Sequence, residues 1–334
     1  MTDLSLADRV AGCLLGGACG DALGAPLEFL DAAAVAALDT AAIAGMLPAY
    51  KRQGGAITDD TQMTLFTAEA VIEMAERGEL DDREQLEIVA DAYLRWYETQ
   101  TRRHRRSDTG LLTDPTLFAQ RAPGHTCMTA LRKLAYDGEL QATNDSKGCG
   151  TVMRAAPFGL VDRVALAGPA SDLTHGHPTA AAASVALAEM IRRLLLGRSM
   201  MAAVTGAMDH LAAPDHPDHR PTIDALRSAV RLAEDGPPSQ ATVESLGGAW
   251  VAEEALAIAV LCALTGEGWS DTLVRAVTHG GDSDSTGAIA GNLLGAAHGA
   301  LDLPSTWLDR LEARITIETM AEALTAAIES SQPC

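Results

Sequence analysis

Val10-Ala11-Gly12-Cys13-Leu14-Leu15-Gly16-Gly17-Ala18-Cys19-Gly20-Asp21-Ala22-Leu23-Gly24 places glycine at every fourth position: Gly12, Gly16, Gly20 and Gly24. Gly287, Gly291, Gly295 and Gly299 repeat the pattern near the other end of the chain. Spacing of four puts residues on one stripe of an α-helix. A glycine inside a helix costs about 1 kcal/mol against alanine, so a whole stripe needs a reason. A stripe without Cβ atoms lets a second backbone approach closely. Such stripes are familiar between membrane helices, but Asp21, Glu28 and Asp282 bracket these two. Both segments are expected as central helices of a water-soluble fold, suited to pack on each other. Gly20 and Gly24 can equally be read as turn residues past a helix ending near Cys19.

Outward from the stripes, helical periodicity dominates. Helices are expected near Leu6–Cys19, Asp60–Glu76, Arg83–Thr101, Thr126–Tyr136, Val152–Asp162 and Thr179–Leu196. More follow near Thr222–Glu234, Trp250–Leu264, Thr286–Ala300 and Pro304–Glu329. Residues 101–123 read as a loop with short helical pieces, and residues 212–221 and Pro237-Pro238 break structure. Aromatic residues make up only 4% of the chain, and strands favour aromatic and β-branched residues. No strand pair and no fixed-period repeat is evident. The expectation is an all-α fold forming a single domain over residues 1–334, because candidate site residues come from both ends.

Lys and Arg number 25 against 45 Asp and Glu, a net charge of −20. That balance discourages casual nucleic-acid binding. Six scattered cysteines (Cys13, Cys19, Cys127, Cys149, Cys262, Cys334) include no CxxC pair, which argues against a zinc ribbon or a redox motif. They suit a reducing cytoplasm. Val10-Ala11-Gly12-Cys13 has the form of a lipoprotein cleavage box, but no hydrophobic segment precedes it. No apolar run is long enough to span a membrane.

Two acidic clusters each stand before a helix. Thr58-Asp59-Asp60-Thr61 taken alone is an ordinary helix start, since Thr or Asp caps and acids suit the dipole. His279-Gly280-Gly281-Asp282-Ser283-Asp284-Ser285-Thr286 is again a cap and a glycine turn. An EF-hand loop also begins Asp-x-Asp, but it needs glycine sixth and glutamate twelfth. The twelfth residue here is Leu293, so that reading fails. Together the clusters offer four carboxylates and flanking hydroxyls, the oxygen donors that hard divalent ions prefer. A helix N-terminus repels cations, so an ion there needs several carboxylates. Two ions can bind diol oxygens and orient a water.

The run Gly16-Gly17-Ala18-Cys19-Gly20-Asp21-Ala22-Leu23-Gly24-Ala25-Pro26-Leu27-Glu28-Phe29 resembles the N-terminal signature of the ADP-ribosylglycohydrolases. Thr58-Asp59-Asp60-Thr61 resembles that family's first metal motif, and Gly281-Asp282-Ser283-Asp284-Ser285 its second. Gly148-Cys149-Gly150-Thr151-Val152-Met153-Arg154 looks like its glycine-rich ligand loop, and Leu173-Thr174-His175-Gly176-His177-Pro178 like its Thr-His motif. Each match is weak alone; the set, in family order, is specific.

The resemblance implies a compact, orthogonal helical fold with a two-magnesium or two-manganese centre. It implies Thr58, Asp59, Asp60, Asp282, Asp284 and Ser285 as ligands, with serine standing where most members have threonine. It gives Glu28 a place near the scissile bond, where a carboxylate can take a proton from a held water; on its own it reads as an exposed loop acid. Glu28, Asp60 and Asp284 are thus the catalytic candidates. Gly148, Cys149, Gly150, Thr151 and His175 are implied to hold the substrate, since backbone N–H groups of such a loop can cradle a pyrophosphate. His175 alone reads as a helix-start histidine. Cys149 replaces the asparagine of better-known members, and no helper base supports it as a nucleophile. Arg154 fits either a ligand contact or a structural ion pair. Asp215-His216-Pro217-Asp218-His219 reads as a polar surface loop, and Arg102-Arg103-His104-Arg105-Arg106 as a solvated face.

The expected partner is the ADP-ribose moiety of a modified protein or small molecule, the expected activity its hydrolytic removal, most familiarly from arginine. Serine-linked, O-acetyl- and nucleic-acid-linked ADP-ribose stay open, as does a non-catalytic, crystallin-like relative. Retention of all four aspartates and Glu28 favours the enzyme.

Overall fold

The computed structural model describes residues 4–102, 104, 109–213 and 219–331. The longer helices are α1 (Leu6–Gly24), α2 (Asp59–Arg77), α3 (Asp82–Thr101), α4 (His125–Asp137), α5 (Val164–Asp172) and α6 (Pro178–Leu195). They continue as α7 (Met200–Leu211), α8 (Arg220–Ala233), α9 (Ala252–Thr265), α10 (Gly268–Val277), α11 (Ser283–His298) and α12 (Arg314–Ser331). Among the described residues β structure is confined to isolated bridges, Ala49 with Arg52 and Gly148 with Val251. The all-helical expectation holds. No described helix is long and apolar enough to cross a membrane.

Helix starts follow the local chemistry. Ser5 caps α1 in a reciprocal box with Asp8, and Asp81 does so for α3 with Glu84; such boxes satisfy N–H groups that a helix leaves unpaired.

The two glycine stripes meet. A Cβ built on Gly20 would lie 1.9 Å from Gly287 O, one on Gly291 2.0 Å from Gly16 O, and one on Gly295 1.9 Å from Gly12 O. The two helices therefore run antiparallel in direct backbone contact, and Asn292 Nδ2 donates to Cys13 O at 2.8 Å across the seam. Gly20 and Gly24 lie inside α1, which corrects their reading as turn residues beyond Cys19. The reason is the pairing itself: Gly24 faces Ser283 and Asp284, so the helix must continue to meet the start of α11. One continuous apolar core surrounds this pair.

Other expectations are corrected in detail. The helix expected over Val152–Asp162 is a 3-10 turn at Cys149–Arg154 followed by a short helix at Ala156–Leu160. Pro157 lacks an N–H and sits in that helix's first turn, where none is needed. The expected helix from Pro304 is Ser305–Leu308 and then α12. Between them Glu312 N donates to Gly55 O, and its carboxylate accepts from Arg121 Nη2 at 2.6 Å. Helices α5, α7 and α10 were not expected. Most of the two polar segments, residues 103 and 105–106 and residues 215–218, lies outside the described residues, as does Cys334; Arg102 pairs with Glu98 at 3.4 Å.

Candidate active site

Asp21, buried on α1, organises the first acid pair. Its two carboxylate oxygens accept from Thr58 N at 3.1 and 3.0 Å, and one also accepts from Thr61 N at 3.1 Å and from the Thr61 hydroxyl. Thr58 Oγ1 accepts from Asp60 N at 3.2 Å and caps α2. Asp59 N donates to Arg121 O at 3.0 Å. The turn is thus held through backbone groups, and the side chains of Asp59 and Asp60 face a cleft.

Gly281 delivers the second pair. Its φ of 156° and a Cβ position 2.2 Å from Gly248 O admit only glycine. Asp282 N then donates to Gly248 O at 3.0 Å, and Asp282 Oδ1 caps α11 by accepting from Ser285 N at 3.3 Å. Asp284 Oδ1 also accepts from Ser285 N, at 3.0 Å. Behind the turn, His279 Nε2 lies 2.9 Å from Thr286 Oγ1, a structural contact.

Both pairs open on one cleft of about 370 Å³, lined also by Glu28, Gly148, Cys149, Gly150, His175 and Ser285. That volume suits a small-molecule site. Cys149 Sγ donates to Asp282 Oδ2 at 2.6 Å. Added Cβ atoms on Gly148 and Gly150 would stand 3.0 Å from His175 Nε2 and 3.4 Å from His175 Cε1, so the glycines let the imidazole lie against the loop.

A relay sets the state of His175. Arg154, buried with its guanidinium 4.3 Å from the centre of the Tyr93 ring, donates to Thr174 Oγ1 at 2.7 Å. Thr174 Oγ1 lies 2.8 Å from His175 Nδ1. Arginine only donates, so the threonine proton goes to Nδ1 at 2.8 Å or to Ser171 O at 3.4 Å; the shorter contact favours Nδ1 and puts the imidazole proton on Nε2. Burial, then the nearby Arg154 charge, pushes His175 down to about 3. It faces the cleft as a neutral N–H donor.

The acids repel one another. Burial first, then neighbouring carboxylates, raises Asp59, Asp60 and Asp284 well above the usual range and Glu28 to about 8. Among the described residues, no Lys or Arg lines the cleft. Asp60 Oδ2 and Glu28 Oε2 are buried without a hydrogen-bond partner. Among the described residues, no three His, Cys, Asp or Glu side chains stand close enough to hold an ion in their present rotamers. The chemistry of the set still fits hard divalent cations: carboxylate oxygens in excess, some unpartnered, and no opposing positive charge.

A family model for ADP-ribosylglycohydrolases matches residues 2–334. The chain belongs to the ADP-ribosylglycohydrolase family. It is 27% identical over 333 residues to the ADP-ribosyl-[dinitrogen reductase] glycohydrolase of Rhodospirillum rubrum, covering 95% of each chain. It is 26% identical over 326 residues to the ADP-ribosylarginine hydrolase Tri1 of Serratia proteamaculans, covering 95% of this chain and 79% of that one. Among solved structures it resembles an ADP-ribosylglycohydrolase-related protein complex, with a TM-score of 0.71 and 28% identity over 97% of this chain and 99% of the other. The family assignment makes this chain an ADP-ribosylglycohydrolase-type hydrolase.

Within this ADP-ribosylglycohydrolase, the fold gathers Glu28, Asp59, Asp60, Asp282, Asp284, Ser285, Gly148, Cys149, Gly150 and His175 around one cleft. It does not bring Thr58 or Thr151 to the cleft lining. Thr58 is fully buried and engaged as the α2 cap; Thr151 Oγ1 donates to Ala180 O at 3.3 Å. Arg154 is structural and does not line the cleft. Sequence reasoning missed the positioning role of Asp21; a lone acid inside a glycine stripe was the available signal. It also missed Phe29 and Trp250 at the cleft mouth.

Proposed function

We propose that this hydrolase removes ADP-ribose from arginine of a modified protein, using two magnesium or manganese ions held by Asp59, Asp60, Asp282 and Asp284 with hydroxyl support from Ser285, while Thr58 serves as the buried cap of α2. The observation that carries the reading is the convergence of four aspartates, from residues 59–60 and 282–284, with Glu28 on one cleft. When bound, the ions would grip the ribose diol and lower the proton affinity of a water.

The protein's own groups do the rest. The Gly148–Gly150 loop lines the cleft beside His175, whose Nε2–H donates to the pyrophosphate without carrying charge, while the Gly148 and Cys149 N–H groups are engaged by Ser146 Oγ and Trp250 O. Glu28, poised high by burial and by Asp282, takes the proton of the attacking water at its unpartnered Oε2. Asp21 holds the Asp59–Asp60 turn in place. The arrangement needs both ends of the chain, in keeping with one domain over residues 1–334, and the unpaired cysteines fit the cytoplasm.

The test is a panel of arginine-, serine- and nucleic-acid-linked ADP-ribose, incubated with magnesium or manganese. Free ADP-ribose should appear from the arginine conjugate, and Asp60→Ala and Asp284→Ala should abolish its release. Unchanged turnover in both variants removes the metal mechanism.

A further inference from the structure

Phe29 and Trp250 stand at the cleft mouth, and nothing above gives them a task. Phe29 is 73% exposed and Trp250 48%, whereas Trp96, Trp269 and Trp307 are buried. Large aromatic faces left in water forgo the burial that normally rewards them. Their rings lie near parallel, 24° apart in plane, with centroids 6.2 Å apart.

Each ring is tied to a working part of the site. Phe29 directly follows Glu28, whose N–H donates to Gly24 O at 3.2 Å at the end of α1. Trp250 O accepts from Cys149 N at 3.3 Å, so the Trp250 backbone is tied to the ligand loop. A ring beside Glu28 is at the reacting end of the cleft, where the group leaving the ribose must pass.

The local charge says what that group is. Among the described residues, five carboxyl groups line the cleft (Glu28, Asp59, Asp60, Asp282 and Asp284) and no Lys or Arg does. Two divalent ions would be held by the four aspartates, which leaves Glu28, next to Phe29 in the chain, as the carboxyl facing the leaving group. Flat electron-rich faces beside a cluster of carboxyl groups attract a flat cation. Guanidinium is planar, permanently charged and weakly hydrated, and it stacks on aromatic faces. A sandwiched plane needs a gap of about 7 Å, two van der Waals contacts, so a small outward swing of the exposed Phe29 admits it.

We propose that Phe29 and Trp250 form the acceptor-side subsite, stacking the guanidinium of ADP-ribosylated arginine and selecting it over uncharged leaving groups. This rests on the function proposed above and adds the residues that choose the leaving group.

The test compares two quantities in Phe29→Ala and Trp250→Ala: KM for ADP-ribosylarginine, and Kd for free ADP-ribose by calorimetry. KM should rise about 10- to 30-fold while Kd holds, and Phe29→Tyr should restore KM. A second arm needs no catalysis. Agmatine, a guanidinium probe, should quench the emission of the exposed Trp250 in the wild-type chain, and Phe29→Ala should weaken that quenching. The inference is overturned if Kd for ADP-ribose weakens as much as KM, which would place the rings on the nucleotide side. It is equally overturned if KM does not move, or if agmatine leaves the emission unchanged. Absence of hydrolysis on every conjugate would defeat the proposed function, while the agmatine arm would still decide the stacking.

Discussion

Replacing Gly20 by alanine tests the architecture at its tightest point. The new Cβ would lie 1.9 Å from Gly287 O and 2.3 Å from Gly287 C. Ordinary carbon contacts begin near 3.5 Å, so α1 and α11 must separate by roughly 1.5 Å. Both contacting atoms are backbone, and no rotamer can relieve them. Helix propensity favours alanine by about 1 kcal/mol; overpacking against a rigid backbone costs about 3 kcal/mol or more. The expected net loss is about 2 kcal/mol, a fall of about 3 °C in Tm for a chain of this size. Activity should suffer more than stability, because Asp21 and Asp284 ride on the separating helices. A misplacement of about 1 Å can cost about 100-fold in rate. Urea unfolding and calorimetry read the first effect, release of ADP-ribose the second. Gly168→Ala is the control: its nearest new neighbour is Val185 Cγ2 at 3.6 Å, so it should gain about 0.5–1 kcal/mol. A Gly20→Ala variant as stable and as active as the parent would refute the backbone-contact argument.

Asp21→Asn replaces a pure acceptor with an amide that cannot satisfy Thr58 N, Thr61 N and the Thr61 hydroxyl together; turnover should drop at least about 10-fold, with loss of about 1–3 kcal/mol in urea unfolding. His175→Ala should weaken ADP-ribose binding about 10- to 100-fold by calorimetry, and the ratio of variant to parent should stay constant between pH 5 and 8, since burial keeps the imidazole neutral there. Glu189 on α6 is pushed up by burial but pulled down further by hydrogen bonds from Arg192 at 2.8 Å and Arg193 at 2.7 Å, so its folded value is below 4.5. Its stabilisation is therefore present above pH 4.5 and lost as pH falls through the lowered folded value. Glu189→Gln should unfold more readily than the parent at pH 7, and the gap should close in acid.

Much of the centre was legible because its rules are local and strict. Only a stripe such as Gly12-Gly16-Gly20-Gly24 permits backbone contact, so its partner stripe announced itself. Paired aspartates at two helix starts exceed what capping needs, since one acceptor suffices for a cap. The remainder was set by distant contacts that leave no periodic trace. Glu312 interrupts the expected C-terminal helix because Gly55 and Arg121 require it there. Helix α5 hides behind Pro169, and α10 begins without a side-chain cap to announce it, two residues past Gly266. Helix α7 carries Gly206, which reads as a breaker until Arg193 is seen packed against it. Thr58 and Thr151 sit within motifs yet spend their hydroxyls on the scaffold, a distinction that only coordinates reveal.

The central claim is that aspartates from opposite ends of the chain jointly hold divalent ions. Manganese binding, followed by electron paramagnetic resonance on the intact protein without substrate, tests it most directly. The account predicts saturable uptake of about two ions by the parent, with at least one site lost in Asp60→Asn and in Asp284→Asn. Binding in the Asp60→Asn/Asp284→Asn double variant equal to that of the parent would contradict it.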